Sequence, residues 1–241
     1  MKKIILTVLH ILMAVGYVFA IIRYSRNGTA LIKGQTSLCF VLIGLINFIF
    51  AVFAKTKLRF PLAMMTGLCI SMAADVVITW NFIAGAGLFA MGHICYFAAY
   101  CVLKQFCKRD LIPIGAIFCG SAIILLIVPN FDSSGEFMKW VCIGYAGFIS
   151  FMTGKAISNF LAVRNSITAM LAIGSVMFYF SDFMLMLDCF AGNPIFAHDL
   201  CLASYFPAQG LLAGAIGRFG LFDRDGWQLK NENERDSDIK F

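Results

Sequence analysis

The chain is a series of long apolar runs separated by short polar links. The runs fall at 4–22, 36–54, 60–80, 82–103, 111–129, 139–161, 166–187 and 200–219. Each is close to the roughly 20 residues that an α-helix needs to cross a hydrocarbon core. The pattern predicts an all-α polytopic membrane protein, an eight-transmembrane-helix bundle. Because the links are short, consecutive helices should be antiparallel neighbours. No polar stretch inside residues 1–222 is long enough for a second domain, so these residues read as one transmembrane domain. Residues 223–241 (DRDGWQLKNENERDSDIKF) are polar and charged and read as a disordered tail. The first run follows Met-Lys-Lys, as in a signal peptide. It is long enough to span, and the chain after it is equally apolar, so it reads as an uncleaved first helix.

Composition agrees. Hydrophobic residues make up 61% of the chain and charged residues 13%, with mean hydropathy +0.85. A soluble domain carries about 25% charged residues. The net charge of +6 is no nucleic-acid footprint, because there is no basic helix face and no basic-aromatic ladder. The basic residues sit in the links, where they report topology. With a cytoplasmic N-terminus, one side holds Lys2, Lys3, Lys55, Lys57, Arg59, Lys104, Lys108, Arg109, Lys155, Arg164 and Arg218, and the other only Arg23, Arg26, Lys33 and Lys139. That asymmetry predicts a cell-membrane protein with both termini cytoplasmic. The nine cysteines are scattered without a CxxC pair, so they read as small buried hydrophobes rather than disulfides or a zinc site.

Two carboxylates interrupt the apolar runs, Asp75 in the third and Asp182 in the seventh. A charge at mid-membrane costs roughly 2.5–3.5 kcal/mol or more, so each marks a functional site with a partner to be found. Both lie about five residues before the same end of their helices, roughly 8 Å deep at 1.5 Å per residue. Equal depth makes each the candidate partner of the other, with both facing one interior cavity. Polar stripes support this. Gly67, Ser71, Asp75 and Thr79 share a face of the third helix, and Ser175, Tyr179 and Asp182 a face of the seventh. His93, Tyr96 and Tyr100 align on the fourth, and Tyr205 and Gln209 on the eighth, around Pro207. An offset of 107 residues carries Gly67 onto Gly174, Asp75 onto Asp182 and Lys57 onto Arg164, which suggests two four-helix parallel repeats.

Simpler roles compete with function at several positions. Ser71, Ser175, Tyr100 and Gln209 can be interhelical hydrogen-bond partners. His93 can be a packing residue. Lys139 and Lys155 read as snorkelling interface anchors. Gly210 and Gly214 read as a close helix contact. Asp188, His198 and Asp199 read as a wetted loop, and no metal or other cofactor is expected.

The residues AADVVITWNFIAGAGLFAMGHICYF, then GSVMFYFSDFMLML and ASYFPAQGLLA, resemble the YhhN family of membrane lysoplasmalogenases. That family shows a Gly-Asp pair, a downstream His with a nearby Tyr, and a later Ser-Asp pair. Here Ala74 stands in place of the Gly, and Ser181-Asp182 supplies the second pair. The resemblance implies hydrolysis of the vinyl ether of a lysophospholipid drawn from the membrane, giving a fatty aldehyde and a glycerophospho-base. It implies Asp75 and Asp182 as the catalytic acid and base, as two carboxylates serve glycoside hydrolysis. His93, Tyr96, Tyr179, Ser181, Tyr205 and Gln209 would bind or orient the substrate. Two other classes stay open on the residues alone. One is a proton-coupled carrier, which should show broken helices in both halves. The other is a non-catalytic bundle with a structural Asp pair.

Overall fold

A computed structural model describes residues 2–127, 135–190 and 196–222, with side chains from residue 13 to residue 220. All eight expected helices are present: α1 Lys2–Asn27, α2 Ala30–Phe53, α3 Arg59–Val77, α4 Phe82–Leu103, α5 Leu111–Ile127, α6 Gly135–Ala162, α7 Ser166–Phe190 and α8 Ala197–Phe222. A single 3₁₀ turn, Lys108–Asp110, precedes α5. Among the described residues, seven helices, α2 to α8, are long and apolar enough to cross a membrane. The polar tail beyond Phe222 lies outside the described residues.

The helix ends follow local chemistry. α2 starts six residues before its apolar run, because Thr29 caps it by accepting a hydrogen bond from the Ile32 amide at 3.4 Å. This places Lys33 inside the helix rather than in a loop. Asn81 caps α4 through the Ala84 amide at 3.0 Å, and Asn165 caps α7 through the Ile167 and Thr168 amides at 2.9 Å. Pro61 falls in the first turn of α3, where its missing N–H is harmless. Pro207 lies inside α8, which continues through it to Phe222.

The outer surface is apolar, with Phe19, Leu31, Leu62, Ile112 and Leu161 all exposed. Polar side chains turn inward: Ser37, Asn47, Ser71, Asp75, His93, Ser175 and Gln209 are all buried. This is the arrangement a bilayer demands, since lipid cannot satisfy a polar group.

The packing divides the chain into two related halves, α1–α4 and α5–α8. Within each half, successive helices pack in order. Between halves, α2 packs on α8 and α6 packs on α4, which are equivalent contacts if α1–α4 corresponds to α5–α8. Hydrogen bonds repeat the relation. Asn47 of α2 donates to the Ala213 carbonyl of α8 at 3.2 Å, and Asn159 of α6 donates to the Tyr100 carbonyl of α4 at 2.9 Å.

One expectation is overturned. Lys155 does not snorkel to an interface. It is wholly buried, with Nζ 2.6 Å from Asp110 Oδ2 and 3.1 Å from the Gln105 carbonyl. Asp110 also accepts from the Ser158 hydroxyl and the Cys107 amide. The pair lies where α6 crosses the α4–α5 link, so the lysine meets a carboxylate before it can reach water. Lys139, by contrast, is only partly buried and reaches the Leu126 carbonyl at 3.4 Å.

Candidate active site

Asp75 and Asp182 both face the interior, each in its own hydrogen-bonded cluster. Asp75 is 1% exposed. Its Oδ2 accepts from Ser37 of α2 and from Tyr205 of α8, both at 2.6 Å. Its Oδ1 lies 3.4 Å from the Lys33 ammonium. The cluster extends inward: Gln209 Nε2 donates to Tyr205 at 3.2 Å, and Tyr96 donates to Gln209 Oε1 at 2.9 Å. Thus Asp75, Tyr96, Tyr205 and Gln209 form one connected network. Lys33 and Ser37, which complete it, carried no signal beyond their place near a helix end.

Asp182 belongs to the other cluster. Tyr145 of α6 donates its hydroxyl proton to Asp182 Oδ2. His93 Nε2 of α4 lies 2.7 Å from the Tyr145 oxygen and 3.4 Å from the same Oδ2. A tyrosine hydroxyl has one proton to give. With that proton directed at Asp182, His93 Nε2 must supply the hydrogen that Tyr145 accepts. The result is a directed chain from His93 through Tyr145 to Asp182. The other carboxylate oxygen, Oδ1, has no hydrogen-bond partner among the described residues.

Asp182 lines a cavity between α3, α4, α5, α6 and α7, with roughly 630 Å³ of empty space, its open side included. Its walls are mostly apolar, among them Phe82, Phe89, Leu125 and Met186. Its polar groups are Asp182, Tyr145 and the mutually hydrogen-bonded hydroxyls of Ser121 and Tyr179, 2.7 Å apart. Apolar walls with a few convergent polar groups are the usual form of a small-molecule site. Asp75 is not among the lining residues. Between the clusters stands Phe178, whose ring lies 4.9 Å from His93 and 5.2 Å from Tyr205, with Phe89 against it at 6.0 Å. Ser181 meets Cys201 rather than the cavity, at 3.5 Å. At the end of the bundle, His198 Nδ1 approaches Asp188 Oδ2 at 3.3 Å.

The two clusters are counterparts. An offset of 112 residues relates Lys33 to Tyr145 on the second helix of each half, and His93 to Tyr205 on the fourth. Asp75 and Asp182 occupy the third helix of each half. Each carboxylate is gripped by the second helix of its own half and the fourth helix of the other. The sequence model of the YhhN family matches residues 28–216, which hold both clusters. The chain belongs to the YhhN family. Neither the curated proteins nor the solved structures compared with it give a match. The YhhN match includes Lys33 and Tyr145 along with the residues that first suggested the family.

Proposed function

We propose that this YhhN protein is a lysoplasmalogenase-like hydrolase, and that Asp182 carries the acid–base chemistry. The observation behind this is the position of the Asp182 carboxyl: Oδ2 is held by Tyr145, Oδ1 makes no hydrogen bond among the described residues, and the residue lines a largely apolar cavity. A vinyl ether is hydrolysed by adding a proton to its β-carbon. This leaves an oxocarbenium ion, which water attacks to give a hemiacetal. The hemiacetal then collapses to an aldehyde and the glycerol hydroxyl. One proton is consumed at carbon and one is released from water.

A single carboxyl can serve both steps. Asp182 in its acid form gives the Oδ1 proton to the vinyl carbon. The carboxylate so formed is stabilised at Oδ2 by Tyr145, whose own oxygen is held by His93. It then takes a proton from the attacking water and is restored. The apolar walls receive the hydrocarbon chain, and Ser121 and Tyr179 offer hydroxyls to the ether and glycerol oxygens.

In this reading Asp75 works outside the reacting pair. Its Oδ2 accepts from Ser37 and Tyr205, while its Oδ1, buried without a hydrogen bond, lies 3.4 Å from the Lys33 ammonium, so it serves as the counter-charge of Lys33. The carrier alternative calls for helices broken at the binding site in both halves, and α8 runs unbroken through Pro207. The test is incubation of purified protein with a lysoplasmalogen, assayed for fatty aldehyde. No aldehyde from well-folded protein across a range of head groups and chain lengths would end the proposal.

A further inference from the structure

We propose that Ser121 and Tyr179 form a subsite that accepts the proton of a free glycerol hydroxyl, and so select the lipid by the hydroxyl next to the reacting ether. The subsite belongs to the proposed hydrolase and rests on that reading for the identity of the lipid.

A serine or tyrosine hydroxyl has one proton to give. Ser121 Oγ lies 2.8 Å from the Ile117 carbonyl, one turn earlier on α5, and 2.7 Å from the Tyr179 oxygen. A carbonyl can only accept. The serine proton therefore goes to Ile117, since any other placement sets two oxygens 2.8 Å apart with no proton between them. Tyr179 must then supply the proton of the 2.7 Å bond. Both protons are spent inside the protein, and among the described residues neither hydroxyl has another partner. The pair turns lone pairs to the cavity, so its ligand must bring a proton of its own.

The pair shares its cavity with the chemistry. Ser121 and Tyr179 line the same cavity as Asp182. Among the described residues α5 packs on α6 and on the turn before it, but not closely on α7. The pair therefore borders open space rather than filling a packed seam. Tyr179 and Asp182 are three residues apart on α7 and project from one face, about 5–6 Å apart at Cβ. The other polar group of the lining, Tyr145, is already engaged: it gives its proton to Asp182, and its oxygen takes one from His93.

Substrate chemistry then decides which oxygen the pair meets. The ether oxygen has no proton. The neighbouring glycerol hydroxyl, two carbons away, has one. The contacts open to Ser121 and Tyr179 thus narrow to that hydroxyl. An ethanolamine ammonium also carries protons, but it lies beyond the phosphate, farther from the bond that Asp182 protonates. Held by its hydroxyl at α5 and α7 and by apolar walls around its chain, the lipid presents its vinyl carbon to Asp182 in a fixed position.

The experiment uses purified full-length protein and three choline-headed vinyl ether lipids: the lysolipid, its 2-deoxy analogue and its 2-O-methyl analogue. Choline has no N–H, so the glycerol hydroxyl is the donor these lipids differ in. Aldehyde release gives kcat/KM, and equilibrium binding in uncharged detergent is measured with the non-cleavable alkyl forms. One neutral hydrogen bond corresponds to about 2–10-fold. The native protein should prefer the hydroxyl lipid over the 2-deoxy analogue by that factor, and over the O-methyl analogue by at least as much. Tyr179→Phe should abolish the preference. Ser121→Ala frees the tyrosine proton to act as a donor, so it should shrink the preference and carries the test if Tyr179→Phe fails to fold. Native protein without a hydroxyl preference would overturn the proposal, as would an unchanged preference in the folded variants. An equal fall in turnover of all three lipids on Tyr179→Phe would also overturn it, and would put the attacking water on the pair instead. Tyr179-dependent binding of a 2-deoxy lipid with an ethanolamine head group, absent with choline, would overturn the assignment to the glycerol hydroxyl. A Tyr179-dependent hydroxyl preference in binding, without any aldehyde release, would leave the subsite standing and remove the hydrolase reading.

Discussion

Replacing Tyr145 by Phe removes a single hydroxyl that sits between His93 and Asp182. Asp182 Oδ2 then loses its principal donor, and His93 Nε2 is left 3.4 Å away, too far for a good hydrogen bond. If the carboxylate formed at Asp182 is stabilised through Oδ2, the loss is felt in the transition state. One hydrogen bond to a charged group contributes about 1.5–3 kcal/mol, which corresponds to roughly 10–150-fold in kcat. KM should stay close to the native value, because Oδ1 and the apolar walls are untouched and the only change in the cavity lining is the loss of one hydroxyl. Asp182→Asn should cost at least about 100-fold, as expected for loss of general acid–base catalysis. The double variant should be little worse than Asp182→Asn alone, because the two groups act as one unit. The assay is aldehyde release from purified protein at saturating lysoplasmalogen, with thermal melting run beside it, since His93 loses a buried partner. A folded Tyr145→Phe protein with native kcat would refute the chain, and so would a rise in KM with kcat unchanged.

Hydrolysis in heavy water should place one deuterium on the carbon next to the aldehyde, read by mass spectrometry; an unlabelled product would exclude protonation at carbon. Lys155→Met should destabilise the protein by about 3–5 kcal/mol, because it strands the Asp110 carboxylate, and adding Asp110→Leu should recover much of that loss. Thermal melting checks both, and an unchanged midpoint in the single variant would contradict the buried pair. Gly154→Ala should cost about 1–3 kcal/mol by overpacking, since its new methyl carbon would lie 2.6 Å from the Ile114 backbone and push α5 away from α6; a native-like melting temperature would count against that close approach.

The helices were legible because apolar runs of bilayer length admit few alternatives. Their ends were less so. Lys33 and Gln35 break the apolar pattern at the start of α2, yet a capped helix tolerates them. The importance of both carboxylates was legible from their burial cost alone, but their partners were not. A lysine near a membrane boundary reads as a topology marker, and nothing in one dimension tells whether its chain reaches to the interface or folds back onto a carboxylate. Lys33 and Lys155 both fold back. Equal depth made Asp75 and Asp182 look like partners, whereas each sits on the third helix of its own half with its own hydrogen-bond partners. Tyr145 was missed because α6 holds no charged residue at its level to draw attention. The signal that could have found it was the 112-residue offset from Lys33, with His93 and Tyr205 related by the same step.

The grip of α8 on Asp75 has a consequence for biosynthesis. Tyr205 is made 130 residues after the carboxylate it holds. At about 5–20 residues per second, the ribosome needs on the order of ten seconds to supply it. During that interval α2 and α3 stand in the bilayer with Lys33 and Asp75 joined to each other but without their last donor, and Asn47 lacks the Ala213 carbonyl it will later bind. The final helix therefore closes the assembly. A chain cut short before α8 would leave the Asp75 carboxylate inside the membrane without the Tyr205 hydroxyl, a gap that lipid cannot fill.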